Sequence, residues 1–225
     1  MSKKVILFIV EGKTEMIALG GALSKMYRND LVRFKVINGD ITSNGSVNVK
    51  NAIKRVYEEV EAFLQTEHFH KEDLKQIIHL VDTDGVFIPN DRVIEANLDK
   101  IFYDKNSIMT RYKVSIEVRN RDKSAVLKKL YHESEIAQIP YKMYFMSCNF
   151  DHVLCHEANL ADTRKRDVAE EFDYLFHDNP NMFRDFFFES KLAVRGEYFD
   201  TWSYISKGVN SLKRHSNFHL LFSYL

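Results

Sequence analysis

Net charge is the first thing this sequence lacks. Its 32 basic side chains are matched by 32 acidic ones. That balance removes any bulk electrostatic argument for a polyanionic partner, although steering follows local fields and survives it. Cysteine is scarce too. Cys148 and Cys155 are the 2 in the chain, which excludes a disulfide framework and points to a reducing compartment. No apolar run approaches the ~20 residues that span a bilayer. The basic start, Met1-Ser2-Lys3-Lys4, resembles the opening of an export signal, but the apolar run behind it stops at Val10 and meets Glu11. That run is too short for a signal core. The expected location is the cytoplasm, without a membrane partner. Repeats, low-complexity tracts and flexible linkers are also missing. Apolar residues at 45% and charged residues at 28% are ordinary for a globular chain. A length of 225 residues suits one large domain, or one with an appendage, and can bury a sizeable core.

Two short segments carry the chemistry. The first runs from Val5 through Val10 into Glu11-Gly12-Lys13-Thr14-Glu15, the second from Ile77 through Val81 into Asp82-Thr83-Asp84-Gly85. Each is an apolar run of strand length that stops abruptly in acid and glycine, the pattern of a strand buried on both faces. Open α/β sheets bind ligands just beyond the carboxyl ends of such strands. On an extended backbone, residues two apart share a side, so Asp82 and Asp84 are expected to present their carboxylates together. Clustered carboxylates repel unless a cation neutralises them. Hard oxygen ligands suit Mg²⁺ or Mn²⁺ and not zinc.

These residues resemble a TOPRIM domain, the metal-binding module of topoisomerases, bacterial primases and several nucleases. The Val10-Glu11-Gly12-Lys13-Thr14-Glu15 stretch is most similar to the overcoming-lysogenization-defect (OLD) nucleases and the RloB-like proteins, and the likeness covers roughly the first 150 residues. It implies a doubly wound, mostly parallel sheet with helices on both faces. It also implies a metal site: Asp82 and Asp84 holding the ion, Glu11 as ligand or general base, Glu15 in support. Glu15 has an ordinary reading beside this, as a favourable charge in a first helical turn. Ser147-Cys148-Asn149-Phe150-Asp151 stands where RloB-like proteins carry Ser-Asn-Pro-x-Phe-Glu, which would place Asp151 at their glutamate. The proline is missing here and the acid is shorter.

In chain order, the expected elements are a helix over 13–28, a strand over 31–37 closed by Asn38-Gly39-Asp40, a helix over 47–66 and the strand over 77–81. Gly20-Gly21 inside the first helix suggests close packing on the sheet. Alternating strand and helix points to a doubly wound α/β fold. Residues 86–120 read as an insert, with a short helix over 93–102 and a strand over 113–118. A helix over 123–136 and a strand over 142–148 complete a TOPRIM-like domain of residues 1–158. Residues 159–225 read as a helical cap packed on it, with helices over 168–176, 182–188 and 201–206.

Other motifs are weighed against plainer readings. Gly12-Lys13-Thr14 evokes a P-loop, yet the glycine needed five residues before Gly12 is Leu7. Asp40 ends a strand as the site acids do. His152 and His156 share a helical face, but the glutamate that follows the first histidine in zinc proteases is Val153 here. Lys13, Arg119, Arg121, Lys213 and Arg214 are candidates for a phosphodiester backbone, against the plainer reading of a solvated charged face. Phe183, Phe187 and Trp202 suit either base stacking or a core. The expected function is a Mg²⁺-dependent nuclease acting on DNA or RNA, in a phage-defence setting with a separately encoded ATPase. The alternative is a non-enzymatic TOPRIM-like binding subunit of a larger complex.

Overall fold

The computed structural model describes residues 4–27, 30–37, 39–43 and 45–223. The expected helix end at Arg28, the turn residue Asn38 and the start Met1-Ser2-Lys3 lie outside the described residues. In chain order the elements are β1 (Val5–Val10), α1 (Lys13–Met26), β2 (Leu31–Val36), α2 (Ala52–Glu67), β3 (Leu74–Asp82), β4 (Val93–Glu95), β5 (Phe102–Tyr103), β6 (Ile108–Thr110), α3 (Lys113–Tyr131), β7 (Glu135–Ile136), β8 (Ile139–Ser147), α4 (Phe150–Cys155), α5 (Asp162–Phe176), α6 (Pro180–Phe188), α7 (Tyr198–Ile205) and β9 (His215–Ser216). The fold is α/β, with a mixed, mostly parallel sheet. Among the described residues no helix is long and apolar enough to cross a membrane. The chain forms two compact units from interleaved segments: residues 1–81, 125–144 and 169–180 in the first, 82–124, 145–168 and 181–225 in the second.

In the first unit the strand order is β2-β1-β3-β8-β7. β1 lies between β2 and β3, parallel to both, with Ile6 opposite Val32 on one side and Gln76 on the other. Every residue of β1 is buried, as a strand covered on both faces requires. Phe8 stacks on Phe34 of β2 at 5.2 Å. His79 of β3 and Tyr141 of β8, both buried, share a hydrogen bond of 2.9 Å. α2 buries Ala52, Val56, Val60, Phe63 and Leu64, a stripe at helical period. Val49, expected on that stripe, precedes the helix and is exposed. Of the paired glycines, Gly20 approaches Phe34 of β2 at an ordinary 3.6 Å. Gly21 faces the end of α5 instead, where a Cβ would fall 2.5 Å from Asp173 Oδ1 and 2.1 Å from Nδ1 of His177, the residue after the helix.

The second unit corrects two expected elements. Residues 93–102 hold no helix: Val93–Glu95 is a strand in a 3-stranded sheet ordered β4-β6-β5. Residues 113–118 hold no strand: they open α3. Val114, Ile116 and Val118 alternate like a strand, yet Val114 is 71% and Val118 41% exposed, and Ile116 alone of the three is buried. The buried positions of α3 are Ile116, Asn120, Lys123, Val126, Leu127 and Leu130, a helical stripe interrupted by two polar residues. The expected helix over 123–136 is thus the second half of α3, followed by β7. The chain after residue 158 is helical, with one addition: β9 pairs antiparallel with the end of β8, Met146 opposite Ser216. Phe183, Phe187 and Trp202 are fully buried. Edge-on ring contacts join Phe187 to Phe218 at 4.9 Å and Phe145 to Trp202 at 4.9 Å. These rings are core.

Candidate functional site: a charged turn at the end of β3

The expected acids fall in both units. In the first, Glu11 follows β1, and its carbonyl accepts from the Gly39 amide at 3.1 Å. Glu15 lies in the first turn of α1, buried, its Oε2 receiving the Thr14 hydroxyl at 2.9 Å. A Cβ on Gly12 would come within 3.2 Å of that oxygen, so glycine leaves room for the buried carboxylate. Lys13 is exposed. Asp40 Oδ1 accepts from both the amide and the hydroxyl of Thr42, each at 2.6 Å, which makes it a turn residue.

In the second unit, Asp82-Thr83-Asp84-Gly85-Val86 forms a tight turn. The Val86 amide donates to the Thr83 carbonyl at 3.0 Å, and Asp84 and Gly85 both take left-handed backbones, at φ +47° and +66°. Asp and Gly are residues that such a pair of positions accepts. A Cβ on Gly85 would sit 2.5 Å from Leu212 Cδ2 and 3.1 Å from Ile108 Cδ1. The strand therefore ends at Asp82, and the alternation rule used to pair Asp82 with Asp84 does not reach Asp84. What ties the turn down is backbone. The Thr83 amide donates to the Met146 carbonyl at 3.0 Å and the Asp84 amide to the Cys148 carbonyl at 2.6 Å. The buried Thr83 hydroxyl donates to the Ser211 carbonyl at 3.0 Å.

Asp84 is the hub of a charged network. Its Oδ2 receives Lys123 Nζ at 2.6 Å, and the lysine side chain is 0% exposed. Its Oδ1 receives the Tyr103 hydroxyl at 3.3 Å, and its carbonyl receives Arg119 Nη2 at 2.9 Å. Arg119 also reaches the Tyr103 hydroxyl at 3.4 Å and grips Asn120 Oδ1 through Nη2 at 2.8 Å. A buried lysine is costly unless paired, and Asp84 supplies the pairing. Burial, then Asp84, holds the Tyr103 phenol above its ordinary range, so it stays a donor. Burial works against the Arg119 charge, and Tyr103 and Asp84 more than offset it. Burial first, then the Asp84 and Asp82 charges, pushes the Cys148 thiol well up, with Arg119 and Lys123 opposing. Asp82 and Asp84 are thus both brought to bear on one buried thiol.

The remaining candidates divide. Asp151, in the first turn of α4, is buried. Burial raises its carboxyl above the ordinary value, with Lys165 Nζ at 3.6 Å opposing. It lines a cavity of about 530 Å³ with Tyr103, Asn159 and Lys165. Arg121 is exposed and pairs with its neighbour Asp122 at 2.9 Å. Lys213 and Arg214 line a second cavity of about 640 Å³ with His152 and His156. Sequence reasoning took in Arg119 and Lys123 as basic residues for a phosphate, but not Lys123 as the buried partner of Asp84, nor Tyr103. The α3 stripe was the signal for Lys123, because it occupies a core position at helical spacing. Among the described residues no group of three or more His, Cys, Asp or Glu side chains is arranged to hold a metal ion. Magnesium asks for less: one or two carboxylates, with water completing the shell. An ionised carboxylate has about four acceptor sites. Asp84 fills one strongly with Lys123 and one weakly with Tyr103, so it keeps hard oxygen acceptor sites of the kind such an ion takes. Both cysteines are free. Compared with known protein families, curated proteins and solved structures, the chain matches none.

Proposed function

We propose that the chain is a Mg²⁺- or Mn²⁺-dependent phosphodiester hydrolase acting on DNA or RNA, with a TOPRIM-like, doubly wound fold of the OLD and RloB-like kind. The observation that carries this reading is the turn closing β3. It sets the Asp84 carboxylate on Lys123 and the Asp84 carbonyl on Arg119, with Asp82 two residues earlier at the end of the strand, a mixed-charge constellation suited to a divalent ion and a phosphate together. The order of the first unit lends support. Its strand order reverses direction at β1, and open α/β sheets bind ligands at the carboxyl edge of such a switch. Glu11 follows β1 at that edge. Glu15 and Asp151 remain supporting acids in the reading, and a separate ATPase and a cytoplasmic, phage-defence setting belong to it as well.

When bound, the divalent ion would stabilise phosphate charge and acidify a water. Asp82 and the open acceptor sites of Asp84 would hold it. Lys123 and Arg119 would offset negative charge around Asp84, and Tyr103 would hold Oδ1 in place through its hydroxyl. In the resemblance, Glu11 would serve as base or ligand. The test is metal-dependent nicking of plasmid and cleavage of RNA, with Mn²⁺ calorimetry alongside. Asp82→Ala is expected to abolish cleavage. Glu11→Gln is expected to cut turnover by about 10²-fold, the scale of lost acid–base work, with metal affinity little changed if Glu11 is the base and reduced in step if it is a ligand. Wild-type rate and affinity in both variants would overturn the proposal.

One observation favours a second reading, a non-enzymatic binding subunit. Lys123 already neutralises Asp84, so the turn needs no added cation to be stable. No calorimetric heat with Mn²⁺ and no cleavage would select that reading.

A further inference from the structure

The 640 Å³ cavity of the second unit is within the size range of small-ligand sites. One wall is cationic. Arg214 comes to it already oriented: its Nε donates to the Val153 carbonyl at 2.9 Å, and its guanidinium lies 5.5 Å from the centre of the Phe186 ring. Its two terminal nitrogens donate to no group among the described residues, which leaves the fork that grips phosphate open. Lys213 is exposed and bonds only a neutral oxygen, Asn210 Oδ1, at 3.2 Å. His152 carries a buried Nδ1 with no hydrogen-bond partner. Asp104 and Glu157 also line the cavity, but Glu157 is held by Arg164 at 3.1 Å. The cavity also has an aromatic lining residue. Phe102 is 43% exposed, and its strand is clamped by Asn159, which donates to the Tyr103 carbonyl and accepts from the Tyr103 amide, each at 2.8 Å.

We propose that this cavity receives the phosphorylated terminal nucleotide of a single-stranded nucleic acid, its phosphate on Arg214 and Lys213 and its base against Phe102. A fixed guanidinium and an exposed ring lining one cavity of this size suit one phosphate and one base. Tyr103 gives the arrangement a purpose: it lines the cavity, and its hydroxyl reaches Asp84. A strand end seated here lies one tyrosine side chain from the charged turn. The choice of a nucleic-acid strand as ligand rests on the hydrolase reading; the cation-and-ring geometry does not.

The experiment is fluorescence anisotropy of the full chain in EDTA at low salt, using a labelled single-stranded oligonucleotide with either a terminal phosphate or hydroxyl termini only. Without metal no cleavage occurs, so failure here and failure of the hydrolase reading are separate events. The terminal phosphate is expected to tighten binding about tenfold, as a charged bidentate contact does. Phe102→Ala and Lys213→Ala change exposed side chains and are each expected to weaken it about five- to tenfold, the scale of one lost stack or phosphate contact. Arg214→Gln is expected to weaken it further. Indifference to the terminal phosphate, or wild-type binding by Phe102→Ala and Lys213→Ala, overturns the proposal. So does displacement by free AMP at equal affinity, which would make this a mononucleotide site, or displacement by poly-glutamate, which would assign it to an acidic peptide.

Discussion

Asp84 has two jobs that a single substitution confuses. As a candidate ligand it invites replacement by alanine, with the fold expected to stand. Its pairing with a fully buried lysine changes that expectation. Removing one partner of a buried ion pair costs about 3–5 kcal/mol, while replacing both with neutral groups is often close to neutral. Asp84→Asn is therefore expected to lower stability by about 3 kcal/mol, and Asp84→Asn with Lys123→Met to recover most of it. Chemical denaturation of the three proteins checks this, and additive losses in the double variant would contradict it. Activity lost in Asp84→Asn or in Asp82→Ala carries meaning only at a temperature where the variant is folded. Histidines set the acid side of the stability curve. Burial, then the Arg214 charge, lowers His152 to about 4, and burial lowers His215 and His219 as well. Such groups take up protons more readily in the unfolded chain, so the folded form binds fewer protons below the ordinary histidine value of about 6.5. Stability is retained above that pH and is lost as the pH falls toward about 4. Asp151, raised by burial, acts in the opposite sense. The melting temperature is expected to fall between pH 7.5 and 5, and to fall less in His152→Gln; a flat wild-type curve would refute this.

At the scale of elements, the sequence was most readable where one physical rule acted alone. β1 and β3 announced themselves because burial on both faces demands a continuous apolar run. α2 did so because its apolar stripe is unbroken. α3 was misread because its buried stripe passes through Asn120 and Lys123, while Val114 and Val118 are apolar and exposed. A core position held by a charge shows only as a gap in the hydrophobic period. The candidate site failed in the same way. The acids were visible as ends of apolar runs, but the network around Asp84 draws on Tyr103 and α3, which pairing across the fold brings to it. The turn itself offers a test. Gly85 combines a left-handed backbone with contacts to Leu212 and Ile108 that leave no space for a methyl group. Backbone strain of roughly 1–2 kcal/mol and overpacking of about 1–3 kcal/mol should add in Gly85→Ala. A melting temperature near wild type in that variant would show that the turn yields easily.

For the molecule as a whole, the path of the chain matters more than its composition. Each compact unit gathers segments from three separate stretches. A chain truncated after Ala158 loses residues 169–180 from the first unit and 159–168 and 181–225 from the second, together with the buried rings of Phe183, Phe187, Trp202 and Phe218. It is expected to aggregate or to melt without cooperativity, because the partners of those rings would be left exposed. A soluble truncation with a sharp thermal transition would contradict this. The same interleaving governs how the protein comes off the ribosome. Synthesis delivers β1 early, yet the first unit cannot close until residue 180 has emerged, and the second must wait for the last turns beyond Phe218. Contacts between residues so distant in sequence are slow to form, and the apolar strands they will cover stay open meanwhile. A nascent chain stalled before its final third should therefore be bound by holding chaperones, and release from them should wait for the residues beyond Phe218 rather than follow closure of the first unit.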